Sequence, residues 1–112
     1  MNEKVRERLK GAPRFDTEQA ALREAVKRAK ADEDTNEMVM RQGSEYLVVG
    51  WQDWEIAMTA GGCKPVYGSG YIYDLAAGRN PSEKDNQAEI EAIVGTKQVK
   101  KAMTYRQARE KR

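Results

Sequence analysis

A chain of 112 residues has room for one hydrophobic core, because a domain of this size buries only about 60 to 70% of its unfolded surface. A hydrophobic fraction of 39% beside a charged fraction of 34% predicts a small core under a highly solvated surface, and no stretch approaches the ~18 apolar residues of a membrane span. The sequence contains no histidine, which removes the commonest general base, the commonest zinc ligand and every Ser-His-Asp or Cys-His arrangement.

The net charge of +2 conceals a strong segregation. Residues 1–30 hold 9 Lys/Arg against 5 Asp/Glu, residues 31–96 hold 4 against 12, and residues 97–112 hold 7 against 1. Basic ends around an acidic middle are the main cue for a charged partner. The single cysteine, Cys63, has no partner for an internal disulfide, and the charged N-terminus lacks the apolar stretch of a signal peptide. A reducing, cytoplasmic compartment is expected, or a virion if the chain is phage-derived.

Val5 and Leu9 share a face of a short first helix or arm that Gly11-Ala12-Pro13 ends. Asp16 with Gln19 three residues on reads as an N-cap, with Phe15 at the chain entry. The helix that follows, from about Thr17 to Ala31, has Leu22, Ala25, Val26 and Ala29 as its inward face and Glu24–Arg28 as an outward i,i+4 pair. From Asp32 the pattern changes to short apolar runs separated by turn residues, as in an antiparallel sheet. The predicted strands are Glu37–Gln42, Glu45–Trp51, Trp54–Ala60, Lys64–Tyr67 and Gly70–Leu75. Alternation supports them, with Leu47, Val49 and Trp51 on one face, then Trp54, Ile56 and Met58, then Tyr71, Tyr73 and Leu75. Trp54, Ala57 and Met58 also match helical spacing, with Asp53 a competent cap, so the third strand competes with a helix. After Asn80-Pro81, Ser82 caps a helix to about Val94 with Ala88, Ile90, Ile93 and Val94 inward. A last helix is expected from Thr96 to about Glu110. The fold class is α+β: one domain over residues 1–112, with a small, meander-like antiparallel sheet between N-terminal and C-terminal helices.

The motifs that carry chemistry elsewhere are incomplete here. Cys63 lies in Gly-Gly-Cys-Lys-Pro without a base to activate it. Gly68-Ser69-Gly70-Tyr71 has neither phosphate-loop spacing nor a dinucleotide fingerprint, and reads as a tight hairpin. Asp32-x-Asp34-x-Asn36 opens like a calcium loop, but Glu37 and Gly43 stand where that loop needs glycine and glutamate. No catalytic residue, metal site or cofactor is expected.

Two surfaces remain as binding candidates. Six of the eight aromatic residues, Tyr46, Trp51, Trp54, Tyr67, Tyr71 and Tyr73, fall in the predicted sheet. Most serve a core poor in Leu, Ile and Phe, while Tyr67, Tyr71 and Tyr73 form a candidate contact surface because a spacing of two puts Tyr71 and Tyr73 on one strand face. In the last helix Lys97, Lys101, Tyr105, Arg109 and Arg112 line one side, a surface for an acidic protein patch or nucleic acid. The expected function is a non-enzymatic binding or regulatory protein acting by macromolecular contact, an accessory factor of bacterial or phage type such as a host-enzyme inhibitor or an assembly component. A protein partner is expected, homo-oligomers are open, and no membrane is involved. Nucleic-acid binding through the basic termini is the alternative.

Overall fold

The computed structural model describes residue 7 and residues 9–94, so the predicted basic helix with Lys97, Lys101, Tyr105, Arg109 and Arg112 lies outside the described residues. The fold is α+β, with a four-stranded antiparallel sheet flanked by helices. Its elements are β1 (Arg14–Phe15), α1 (Glu18–Ala31), β2 (Glu37–Gln42), β3 (Glu45–Gly50), a 3₁₀ turn at Trp51–Asp53, α2 (Trp54–Met58), β4 (Lys64–Tyr67), α3 (Ser69–Ala76) and α4 (Glu83–Val94). The strand order is β1-β3-β2-β4.

The β2–β3 hairpin forms the centre, with pairs running from Glu37↔Gly50 to Gln42↔Glu45. Its two-residue loop begins with Gly43 at φ +62°, the left-handed first position that a tight hairpin fills with glycine. Because side chains alternate along a strand, β2 and β3 serve two cores. Met38, Met40, Leu47 and Val49 meet Leu9, Trp54, Ala57, Cys63 and Ile93 on one face. Val39 and Val48 meet Ala21, Ala25, Ala29 and Ile72 on the other. Burial on both faces explains why these strands read as near-continuous apolar runs.

α1 follows the sequence expectation closely but starts one residue later. Thr17, not Asp16, is the cap: its Oγ1 accepts from the Ala20 N–H at 3.1 Å. The physical reason is β1, which pairs Phe15 with Tyr46 and so keeps the chain extended up to the cap. The deepest stripe is Ala21, Ala25 and Ala29, and Leu22 and Val26 pack on its flanks. Alanines at every fourth position let the helix axis approach the sheet. The expected Glu24–Arg28 pair forms at 3.0 Å, and Arg28 also reaches Glu37 of β2 at 2.8 Å.

Two predicted strands are helices. Trp54–Ala60 instead holds α2, which follows directly on the 3₁₀ turn, because Trp54 and Ala57, three apart, both turn into the core. The Trp54 indole donates to the Val49 carbonyl at 2.9 Å, a bond that ties the turn back onto β3. Trp51 therefore leaves the strand face of Leu47 and Val49 and stands 44% exposed. Gly70–Leu75 is instead α3, with Ile72 inserted against α1 and the sheet. Gly78, at φ +79°, ends α3 with a left-handed cap in which Gly78 N–H bonds Leu75 O and Arg79 N–H bonds Asp74 O. α4 starts as expected, with Ser82 Oγ accepting from Asp85 N–H at 3.0 Å. Its inward face differs: Asn86, Glu89, Ile90 and Ile93 are buried, whereas Ala88 and Val94 are exposed.

Candidate functional site

The tyrosines sit where β4 passes into α3 and where α4 crosses that junction. Tyr67 is the last residue of β4 and Tyr71 lies one helical turn beyond it. Their rings stack at 5.0 Å between centroids, inclined by 26°. The Tyr67 hydroxyl donates to Glu18 Oε1, in the first turn of α1, at 2.5 Å. Burial pushes the Tyr67 phenol far above the usual tyrosine range, and the bond to Glu18 and its charge push it further, followed by Tyr71 and Glu83. Tyr71 is raised too, by burial first and then by Glu83 and Glu18. Glu18 at the start of α1 thus bonds the ring pair directly, and the charge of Glu83 at the start of α4 acts on both phenols.

The structure separates Tyr73 from this pair, against the expectation that Tyr71 and Tyr73 share a face. In a helix, residues two apart are rotated by about 200°, so the spacing that unites them on a strand divides them here. Tyr73 instead carries the Arg79 guanidinium 5.7 Å from its ring centroid, while Arg79 Nη1 bonds Asp74 Oδ1 at 2.9 Å. The Asp74 side chain is 3% exposed, so this ion pair fixes the end of α3 from a buried anchor.

The start of α3 is held by side chains of α4. Asn86 Oδ1 accepts from Gly68 N–H at 2.8 Å, and Asn86 Nδ2 donates to the Val66 carbonyl at 3.0 Å. Both Glu89 carboxylate oxygens accept from Gly70 N–H at 3.2 Å, and Ser69 Oγ donates to one of them at 3.3 Å. Gly68 N–H and Gly70 N–H are donors that a helix leaves without intrahelical partners, and a carboxylate there also meets the positive end of the helix dipole. A Cβ on Gly68 would overlap the Glu89 carboxylate, so glycine is required by close approach; its φ of −75° is open to any residue. The role of Gly68-Ser69-Gly70 is therefore a helix start capped from a distance, in place of the expected hairpin.

Sequence reasoning missed Glu18, Glu83, Asn86 and Glu89. For the last two a signal existed: Asn86, Glu89, Ile90 and Ile93 follow the i, i+3, i+4, i+7 spacing of an inward helix face, with polar residues at two of its positions. Such residues must have partners or cost free energy.

Cys63 is buried in the apolar cluster under the sheet, and its Sγ faces Gly61 O at 3.8 Å. Burial pushes the thiol up, partly offset by Arg14, away from the low value that a reactive thiolate needs. The Asp32–Asp34 segment forms a turn at the end of α1, with Asp34 N–H donating to Asp32 Oδ1 at 3.0 Å. Among the described residues no group of three or more Cys, Asp and Glu side chains is placed to hold a metal ion. No helix among them is long and apolar enough to cross a membrane.

Comparison with protein-family models, with curated proteins and with solved structures returns no match. The functional reading therefore rests on the chemistry of these residues.

Proposed function

We propose that this chain is a non-enzymatic binding or regulatory module that acts by occupying a surface of another protein. The observation that carries the reading is the stacked Tyr67–Tyr71 pair, half-buried and held by Glu18 at the junction of β4 and α3. Tyrosines fixed in place before binding lose little further conformational freedom on contact, which is why they dominate many interfaces. Two further features support a non-catalytic role: the absence of histidine from the sequence, and a sole thiol that burial makes harder to ionise. The accessory roles that suit such a module are inhibition of a host enzyme and a place in a bacterial or phage assembly.

The second reading, nucleic-acid binding, is favoured by the concentration of 7 Lys/Arg against one Glu in residues 97–112. Capture from lysate with and without nuclease, using wild type and Tyr71→Leu, separates the two. The proposal expects a stoichiometric protein that survives nuclease and is lost with Tyr71→Leu, although that variant still unfolds cooperatively with only the ~1 kcal/mol loss of one ring stack. Recovery of nucleic acid alone, or of a protein that Tyr71→Leu retains at full strength, would overturn it.

A further inference from the structure

We infer that the Tyr67–Tyr71 face between Glu18 and Glu83 receives an arginine-bearing basic segment of a partner protein. This inference rests on the binding-module reading and names the partner's chemistry. The charge around the rings favours a cation. Glu18, in the first turn of α1, accepts the Tyr67 hydroxyl, and Glu83, in the first turn of α4, lies one helical turn before Asn86, which holds the Gly68 N–H between the two tyrosines. Both carboxylates push the two phenols up, so the rings lie in a locally negative field. Partial burial keeps solvent from screening that field fully, which strengthens attraction for a cation placed on it.

The same helix holds a precedent. On the other side of α3 the chain receives an arginine of its own: the Arg79 guanidinium lies 5.7 Å from the Tyr73 ring centroid while bonded to Asp74 at 2.9 Å. A ring face with a carboxylate beside it satisfies both the π attraction and the hydrogen-bonding fork of a guanidinium. The Tyr67–Tyr71 pair has the same two components, aromatic rings and a carboxylate, in Glu18 at the Tyr67 hydroxyl, with the charge of Glu83 added from the first turn of α4. Among the described residues, however, no lysine or arginine pairs with Glu83 or Glu18, and Arg79 over Tyr73 is the one cation seated on a ring. Tyrosine together with carboxylate selects a guanidinium over a phosphate, which Glu18 and Glu83 would repel. This face is thus assigned a basic protein segment, and any polyanion is left to residues 97–112.

The test uses the full chain, ¹⁵N-labelled and titrated with a twelve-residue peptide of alternating arginine and glycine, against an alternating glutamate–glycine control. The expected result is saturable movement of the amide signals of residues 66–71 and 83–86 with the arginine peptide alone. Affinity should fall about tenfold in Tyr71→Leu and again in Glu83→Lys, and should weaken as salt is raised. Glu83 is exposed, so Glu83→Lys tests the charge without disturbing the core. Signal movement confined to the Asp32–Asp34 turn, or equal affinity of both variants and wild type, overturns the inference. Binding that emerges only in Lys97→Gln/Lys101→Gln/Arg109→Gln also overturns it, because the occupant is then the chain's own basic segment. Failure of the peptide together with loss of a captured protein in Tyr71→Leu rejects the arginine partner and leaves the binding-module reading standing.

Discussion

Removal of the Glu89 side chain should expose how much of α3 depends on α4. Glu89 is 4% exposed, and Glu89→Ala leaves the Gly70 N–H and the Ser69 hydroxyl without the carboxylate that now receives them. A hydrogen bond to a charged acceptor is worth about 1.5–3 kcal/mol, and a buried carboxylate at a helix start gains up to about 2 kcal/mol from the dipole. These contributions overlap, and the mutation also removes the desolvation cost of the buried charge. The net loss should be about 2–4 kcal/mol, and Glu89→Gln, which keeps an acceptor oxygen, should lose about half of that. With a urea slope of about 1.5 kcal/mol/M, the midpoint for Glu89→Ala should fall by about 2 M at constant slope. Gly68 sharpens the test. Its backbone tolerates alanine, and the atoms nearest to where a Cβ would stand all belong to the Glu89 side chain. Gly68→Ala alone should therefore cost about 2 kcal/mol, but in the Glu89→Ala background it should be neutral, or stabilising by about 0.5 kcal/mol through the stiffer unfolded chain. A Glu89→Ala protein within about 0.5 kcal/mol of wild type, or strictly additive effects of the two substitutions, would refute the clamp.

Tyr67 and Tyr71 have phenols raised above their ordinary value, so the folded state holds those protons more tightly than the unfolded chain. Their contribution is complete below the unfolded value near pH ~10 and is lost as pH rises above it. Tyr67→Phe should thus flatten the alkaline fall in stability while costing about 1 kcal/mol at neutral pH, and absorbance titration of the five tyrosines should show a late fraction that this variant reduces. The Cys63 thiol should react with an alkylating reagent at least ~10-fold more slowly in the folded than in the unfolded protein. Cys63→Ser should cost about 1–2 kcal/mol and leave partner binding unchanged; loss of function in a folded Cys63→Ser protein would contradict the non-enzymatic reading. Arg79→Ala should cost about 1–2 kcal/mol by leaving Asp74 without its guanidinium, and Arg79→Lys, which keeps the charge but not the planar fork, should fall between; no change in thermal midpoint for either would show that Arg79 does not hold the end of α3.

The local part of this fold was legible in the sequence. Glycine at Gly43 sets the hairpin turn, Ser82 caps α4, and the short apolar runs on either side of Gly43-Ser44 mark the two strands, because each depends on neighbours within a few residues. α3 was not legible: the Tyr71-Ile72-Tyr73 alternation gave a strand reading, and the left-handed Gly78 cap that ends the helix was not recognised. An eight-residue segment cannot separate a period of 2 from one of 3.6, and a helix that short does not stand alone in water. What decided α3 was Asn86 and Glu89, 18 to 20 residues beyond the backbone they hold. That same decision sent Tyr71 toward Tyr67 and Glu18, and Tyr73 toward Arg79, so the candidate contact surface is also a product of tertiary structure. Sequence by itself determined the α+β class, the central hairpin and the charge segregation. Tertiary structure alone determined which tyrosines meet and which carboxylates surround them, because both follow from donors at one helix start being satisfied by a different helix.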